Sequence, residues 1–82
     1  MSGDREALVV DPDIRRTAGL RIKELRGERG LSQERFANAI GIARTYLAEV
    51  ENGKRNVSLV NLEKIIKGLG VTFEEFFSSS SF

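Results

Sequence analysis

The feature that most constrains this chain is a central stretch of twenty residues, QERFANAIGIARTYLAEVEN, in which one glycine separates two short apolar patterns. Phe36 and Ile40 stand one helical turn apart in the first half, and Leu47 and Val50 do so in the second. Each half therefore has the single apolar stripe of an amphipathic helix. Because both helices are short and one-sided, the two stripes are expected to face each other.

The residues at the start and in the middle of this stretch support the interpretation. Gly41 stands where a helix that ends in a sharp turn needs a left-handed residue, which glycine adopts without a Cβ penalty. Ala37 is small where the second helix would cross the first, and Ser32 is a predicted N-cap. The stretch therefore predicts a helix-turn-helix, a unit that presents its second helix to a groove of DNA.

One helix is predicted before this unit. Asp11 and Pro12 suit a helix entry, and the pattern continues to about Arg29. Leu20 lies opposite the core stripe, so it is either exposed or covered by the apolar residues 8–10. The stripe itself, spaced by four, four and three residues, is Ile14, Ala18, Ile22 and Leu25.

Two helices are predicted after the unit. Ser58 can cap a fourth helix, and Thr72 with Glu75 forms a capping box for a short fifth helix. No strand pattern and no internal repeat appears, so the predicted fold is all-α with five helices. Residues 12–77 form its one domain, residues 1–11 a flexible arm and residues 78–82 a disordered Ser-rich tail. The predicted core stripe of the fourth helix is Leu59, Leu62, Ile65, Ile66 and Leu69.

The composition narrows the range of functions. A single core in a chain of 82 residues is small, since cores of this size contribute only about 3 to 5 kcal/mol, and self-association is therefore expected. The absence of cysteine and histidine removes thiolate nucleophiles, imidazole bases and the usual zinc sites. The acidic residues are interspersed with basic ones, so we expect no enzymatic activity, metal, cofactor or small-molecule ligand. Without a membrane-spanning run or a signal-peptide pattern, the protein is expected to be cytoplasmic.

Charge is distributed unevenly along the chain. The net charge is only +1 overall, yet residues 15–55 carry ten basic and five acidic residues, a balance of +5. The preceding residues sum to −3 and the following ones to −1. The positive charge is therefore concentrated in the half that contains the helix-turn-helix, which favours a nucleic-acid partner over the alternative of a solvated helical surface.

The outward face of the second helix of the unit carries side chains that can read DNA bases. Arginine can bond bidentately to guanine, threonine and alanine methyl groups can meet the thymine methyl, and glutamate can accept from cytosine. Glu49 is alternatively a surface carboxylate that repels nearby phosphates. The predicted base-facing residues are Arg44, Thr45, Tyr46, Ala48 and Glu49.

The chain resembles the small Cro and phage-repressor type regulators of the Xre family, and among them the controller proteins of restriction-modification systems. The resemblance covers roughly residues 17–77 and rests on IKELRGERGLSQERFA from Ile22, RTYLAEVENGKRNVSLVNLEKI from Arg44 and LGVTFEEFF from Leu69. It implies a lambda-repressor-like fold and a homodimer that regulates transcription from a two-fold-related double-stranded DNA operator. RNA polymerase is a further candidate partner. A phage repressor, an antitoxin and a protein-interaction module of the same fold remain alternatives.

The resemblance also implies which residues hold the DNA backbone. Gln33, the first residue of the second helix, lies where helix-terminal amides suit a phosphate oxygen, and the family has a glutamine with that role there. Ala43 is placed in the same set, although the family commonly has serine at this position, whose capping hydroxyl is worth about 1 kcal/mol. The loop residues of the phosphate-binding set are Asn52, Lys54, Arg55 and Asn56.

An ion pair inside the protein and a dimer interface are also predicted. Arg26 and Glu51 match positions that form a partly buried ion pair between the first and third helices of phage repressors. Four of the five phenylalanines lie in the last ten residues, more than one short helix can bury beneath itself. A dimer interface is therefore predicted at the end of the fourth helix together with Val71, Phe73, Phe76 and Phe77.

Overall fold

The computed structural model describes residues 14–79 and residue 82, and within these residues the chain forms five helices and no strand. The predicted all-α fold, with the helix-turn-helix as its second and third helices, is confirmed. The predicted arm and the helix entry at Asp11 and Pro12 lie outside the described residues. The helices are α1 (Ile14–Glu28), α2 (Gln33–Ile40), α3 (Arg44–Glu51), α4 (Leu59–Gly68) and α5 (Phe73–Phe77).

One apolar core holds the five helices together. The stripes of α2 and α3 face each other as predicted, and α1, α4 and α5 close the core around them. Leu31, Ile40, Ile42 and other partly buried residues surround it. Its fully buried members are Ile22, Leu25, Phe36, Ala37, Leu47, Val50, Ile65, Ile66, Leu69 and Phe76.

The helix ends have the predicted local structure. The Ser32 hydroxyl oxygen accepts a hydrogen bond from the Arg35 amide at 3.1 Å. Ser58 caps α4 in the same way, accepting from Asn61 at 3.1 Å. Gly41 ends α2 with φ of 77°, the left-handed conformation that the sharp turn into α3 requires. These caps confirm the predicted boundaries of the helix-turn-helix.

Two residues of the predicted core stripes are exposed instead. Ile14 is 51% exposed and Leu59 is 81% exposed. Both stand in the first turn of their helix, beyond the part that the neighbouring helices cover. Leu20 is exposed, while the residues 8–10 that were the alternative cover for it lie outside the described part of the chain.

Gly19 determines how closely α1 approaches α3. A Cβ atom at this position would lie 2.4 Å from the Val50 carbonyl oxygen and 2.6 Å from that of Glu51. The two helices therefore meet backbone to backbone, and only glycine leaves room for this contact. This close approach brings the end of α3 within reach of side chains from α1.

Candidate nucleic-acid interface

The second helix of the motif, α3, presents three of the five predicted base-facing residues away from the core, while Tyr46 packs partly against it. Leu47 and Val50 point inward and are buried, whereas Arg44, Thr45 and Glu49 are exposed. The two remaining candidates, Tyr46 and Ala48, are half-buried at the edges of this face. The Ala43 side chain makes no capping hydrogen bond to α3, as expected for an alanine. The base-reading role of these residues stays a prediction.

A buried ion pair joins the end of α3 to α1. The Arg26 Nε donates to Glu51 Oε2 at 2.7 Å, and Nη2 donates to Oε1 at 3.0 Å. The two side chains are only 13% and 1% exposed, which confirms the predicted structural pair. Arg26 Nη1 also donates to the Leu31 carbonyl at 2.6 Å. One guanidinium therefore fixes α3 to both α1 and the α1–α2 turn.

Hydrogen bonding favours the charged form of Arg26. Hydrogen bonding to the Glu51 carboxylate raises the pKa of Arg26 above its ordinary value, against the opposing effect of burial. The arginine therefore stays protonated, and Glu51 keeps a cationic partner inside the protein.

Gln33 is joined to the same ion pair, a contact that the sequence analysis did not predict. Its Nε2 donates to Glu51 Oε1 at 2.9 Å, and the side chain is half-buried. One amide hydrogen is thus directed toward Glu51, and the second is the one that could reach a phosphate. The phosphate contact of Gln33 stays a prediction. The two residues lie 18 positions apart, so no local spacing signals their contact.

The loop after α3 holds four of the predicted phosphate-binding residues, all of them exposed: Asn52, Lys54, Arg55 and Asn56. Among the residues that the structure describes, Lys54 has no side-chain partner. Arg55 differs, because its Nε donates to Glu49 Oε1 at 2.8 Å. The two partners have different predicted roles, Arg55 as a phosphate contact and Glu49 as a base contact.

Comparison with known proteins identifies the family of this chain. The model of the helix-turn-helix family matches residues 22–76. The control protein C.MunI from a Mycoplasma species is 58% identical over 67 residues, which span 80% of this chain and 90% of that relative. The chain belongs to the helix-turn-helix family of controller proteins. The control protein C.BamHI of Bacillus amyloliquefaciens is 43% identical over 72% of this chain and 74% of its own length.

Solved structures of controller proteins have the same fold. The restriction-modification controller protein C.AhdI from Aeromonas hydrophila aligns with a TM-score of 0.73 and 44% identity, covering 77% of this chain and 96% of that one. The controller protein C.Esp1396I aligns with a TM-score of 0.72 and 36% identity, covering 77% of this chain and 83% of that one. That structure is a tetramer in complex with its natural 35 base-pair operator.

Part of the predicted dimer interface lies inside the protomer. Phe76 is fully buried within the protomer, so its ring belongs to the core and offers no surface to a partner. The predicted end of α4 is likewise internal, since its apolar residues Ile65, Ile66 and Leu69 are in the core. Of the other predicted interface residues, Phe73 and Phe77 are exposed and Val71 is half-buried.

The two most exposed large apolar side chains of the described residues lie instead at the start of α4. Leu59 and Val60, which are 81% and 64% exposed, line a shallow hollow with Glu63 and Phe73. We call Leu59, Val60 and Phe73 the α4–α5 apolar face. Leu59 was predicted to be core because it belongs to the apolar stripe of the fourth helix, and Val60, which lies outside that stripe, was not assigned to any surface.

The phenylalanine rings near the end of the chain pack partly against one another within the protomer. The Phe77 ring lies edge-on to Phe76 with centroids 4.9 Å apart, and the Phe82 ring lies 5.0 Å from Phe77. The Phe82 ring therefore packs against Phe77, a contact that the sequence did not predict. Three rings that share one another's surface need less protein around them than three separate rings.

Arg21 attaches α5 to α1, and the sequence analysis did not single it out. Its Nε donates to the Phe76 carbonyl and its Nη2 to the Glu75 carbonyl, both at 2.9 Å. These carbonyls lie in the last turn of α5, where cationic donors stabilise a helix end. Arg21 also pairs with Glu24 on its own helix at 2.6 Å.

Proposed function

We propose that this chain is a sequence-specific transcriptional regulator that controls a restriction-modification system by binding a two-fold-related DNA operator as a homodimer. The observation that carries the proposal is the exposed face of α3, with Arg44, Thr45 and Glu49, in a chain that belongs to the controller proteins. The neighbouring buried Arg26–Glu51 pair holds that helix in place. A rigidly held polar helix face of this kind suits a major groove.

The division of work between the residues follows from their positions. Arg44 opens α3, where a long side chain can reach the floor of the groove and bond to guanine. Lys54 and Asn56 lie in the loop beyond the far end of α3, at the level of the DNA backbone. Contacts from Gln33, Ala43, Asn52 and the loop would then position the protein, while α3 reads the sequence.

Dimer formation would follow from the α4–α5 apolar face. Exposed leucine, valine and phenylalanine side chains in one patch are what a second copy can bury. A two-fold axis through this face would place two recognition helices about 34 Å apart, one turn of DNA, so that both enter successive major grooves. The tetramer that C.Esp1396I forms on its operator supports self-association on DNA.

The cellular setting of the proposal is the cytoplasm, where the DNA and RNA polymerase are found. No helix in the described part of the chain is long and apolar enough to cross a bilayer. A regulator bound beside a promoter could contact the polymerase, and we propose this as a second protein contact of the dimer.

Selection from a randomised pool of DNA duplexes tests the proposal. The wild-type protein is expected to enrich one motif with two-fold-related halves whose centres lie one helical turn apart. A protein-interaction module of the same fold would enrich no motif. The genes beside the coding sequence separate the remaining alternatives, because a methyltransferase and an endonuclease, a toxin, or phage genes each identify a different regulator.

A further inference from the structure

Arg55 connects two candidate base-reading residues of the recognition helix. Its Nε donates to Glu49 Oε1 at 2.8 Å, and its guanidinium carbon lies 4.9 Å from the centroid of the Tyr46 ring. The Tyr46 hydroxyl accepts a hydrogen bond from Asn61 Nδ2 on α4 at 3.2 Å. A loop residue, two residues of α3 and one of α4 therefore form a single connected group on the DNA-facing side.

This group does little for the stability of the fold. The Glu49 and Arg55 side chains are each 50% exposed, and ion pairs between exposed side chains stabilise a protein only slightly. The geometry instead restricts conformations, because a guanidinium that bonds to a carboxylate and lies over an aromatic ring limits the orientations of all three groups. Glu49 and Tyr46 are therefore biased toward this arrangement before any DNA arrives.

The pairing also changes the charge that Glu49 presents to DNA. A lone carboxylate on a DNA-facing helix would be repelled by the phosphates, but Arg55 neutralises it at hydrogen-bonding distance. An arginine side chain has five N–H donors, of which the Nε donor is used on Glu49. In the described residues, its two terminal nitrogens have no protein acceptor, so they remain available for a phosphate.

We infer that Arg55 is a specificity-positioning residue, which orients the Glu49 carboxylate and the Tyr46 ring for base reading while its terminal nitrogens hold a phosphate. The inference rests on the proposed function, since it concerns the same DNA-binding surface. It separates Arg55 from Lys54, its neighbour in the loop, which carries the same charge but no such side-chain contact. Lys54 is therefore the matched control.

The test compares affinities for the selected duplex and for single-base variants of it, using Glu49→Ala, Arg55→Ala, Arg55→Lys and Lys54→Ala. The positions at which Glu49→Ala loses its preference define the Glu49 base pairs. Arg55→Ala is expected to lose about fivefold to tenfold of the preference at these same base pairs. The double variant with Glu49→Ala and Arg55→Ala should lose no more of this preference than Glu49→Ala does, because Arg55 acts on these base pairs through Glu49.

The two control variants separate geometry from charge. Arg55→Lys should retain affinity for scrambled DNA, because the charge remains, yet lose the preference at the Glu49 base pairs, because an ammonium lacks the planar fork. Lys54→Ala should weaken all duplexes alike and reduce the salt dependence by about one unit of slope. Equal melting temperatures for the four variants would show that the fold is intact.

A measurement without DNA checks the geometry directly. The chain has one tyrosine and no tryptophan, so its intrinsic fluorescence reports Tyr46 alone. Arg55→Ala and Arg55→Lys should change that emission, and Lys54→Ala should not. Unchanged emission in Arg55→Ala would contradict the placement of the guanidinium over the Tyr46 ring.

The inference is overturned if Arg55→Ala weakens every duplex alike, as Lys54→Ala does, or if Glu49→Ala leaves every base preference intact. The proposed function stands in both cases, provided that the wild type still prefers its selected duplex. If the wild type itself shows no preference, the proposed function and this inference fail together.

Discussion

Glu51 is the residue on which the position of the recognition helix, α3, depends most. It accepts two hydrogen bonds from Arg26 and one from Gln33, and it is 1% exposed. Every one of its partners lies on a different element from α3. A buried charge with three donors is stable only while those donors are in place.

Arg26→Ala should therefore lower the stability strongly. Removing one partner of a buried ion pair leaves an uncompensated charge, at a cost of about 3 to 5 kcal/mol for a fully buried pair. Thermal unfolding measures the effect, with Lys23→Ala as the control, because Lys23 is an exposed residue of the same helix. If Arg26→Ala melts like Lys23→Ala, the pair does not hold α3 in place.

The two glycines inside α1 should respond to alanine in opposite directions. In Gly19→Ala the new methyl group would meet two backbone carbonyls of α3, so α1 and α3 must separate, at about 1 to 3 kcal/mol. Gly27 has open space around it, and Gly27→Ala should stabilise the helix by about 0.5 to 1 kcal/mol. Chemical denaturation measures both. Equal responses would show that the backbone contact at Gly19 is not as close as described.

At the scale of the element, α5 depends on its two ends because it has only five residues. At its start the Thr72 hydroxyl accepts from the Glu75 amide at 3.0 Å, and the Thr72 amide donates to Glu75 Oε1 at 2.8 Å. At its end Arg21 binds the last carbonyls. Helices this short are not stable by themselves in water, so these contacts help to determine where Phe73 is placed.

Acid should weaken α5 through Glu75. Hydrogen bonds from the Thr72 backbone and side chain lower the pKa of Glu75 from 4.5. A carboxyl group whose pKa is lower in the folded state stabilises fully above its unfolded value, and this contribution is lost as the pH falls through the folded value. Hydrogen exchange of the α5 amides should therefore accelerate below about pH 4.5.

Variants identify the group responsible for that acid response. Glu75→Gln should remove most of the pH dependence, since the glutamine oxygen accepts from Thr72 whether or not acid is added. Glu74→Gln changes the adjacent residue of the same first turn but leaves the capping box intact, and it should retain the response. If Glu74→Gln loses the response and Glu75→Gln keeps it, the responsible carboxylate is Glu74 and the prediction is wrong.

The sequence predicted those features that depend on residues close together in the chain. The N-caps at Ser32 and Ser58 and the turn at Gly41 involve partners within four residues, so their spacing alone revealed them. An apolar stripe shows which face of a helix is buried but not how far the neighbours extend, which is why Leu59 was misplaced. The contact of Gln33 with Glu51 requires the final crossing of helices, which no local pattern specifies.

At the scale of the whole molecule, the apolar surface and the basic charge lie in different parts of the chain. The α4–α5 apolar face belongs to the last two helices, whereas residues 15–55 carry the excess of positive charge. One part can therefore bind a second copy while the other faces DNA. The dimer would double the number of phosphate contacts without changing the fold of either protomer.

Phe73→Asp and Leu59→Asp are each expected to give a folded monomer with weak operator binding. A carboxylate in the middle of the α4–α5 apolar face would be buried without a partner on dimerisation. Sedimentation measures the oligomeric state, with Leu20→Asp as the control on exposed α1 surface. Phe76→Asp should unfold the chain instead, because that ring is in the core. A monomeric wild type, or dimeric Phe73→Asp and Leu59→Asp variants, would contradict the proposed interface.

The central claim is that α3 reads the DNA sequence, whereas Lys54 in the loop after it contacts only the DNA backbone. Titration of wild type, Arg44→Ala and Lys54→Ala against the selected and a scrambled duplex, at several salt concentrations, tests it most directly. Arg44→Ala should lose about 1 to 3 kcal/mol of discrimination at one base pair of each half-site, mainly on the selected duplex. Lys54→Ala should weaken both duplexes alike and lower the salt slope by about one unit. Equal losses on both duplexes for Arg44→Ala would contradict the claim, because Arg44 would then be another phosphate contact.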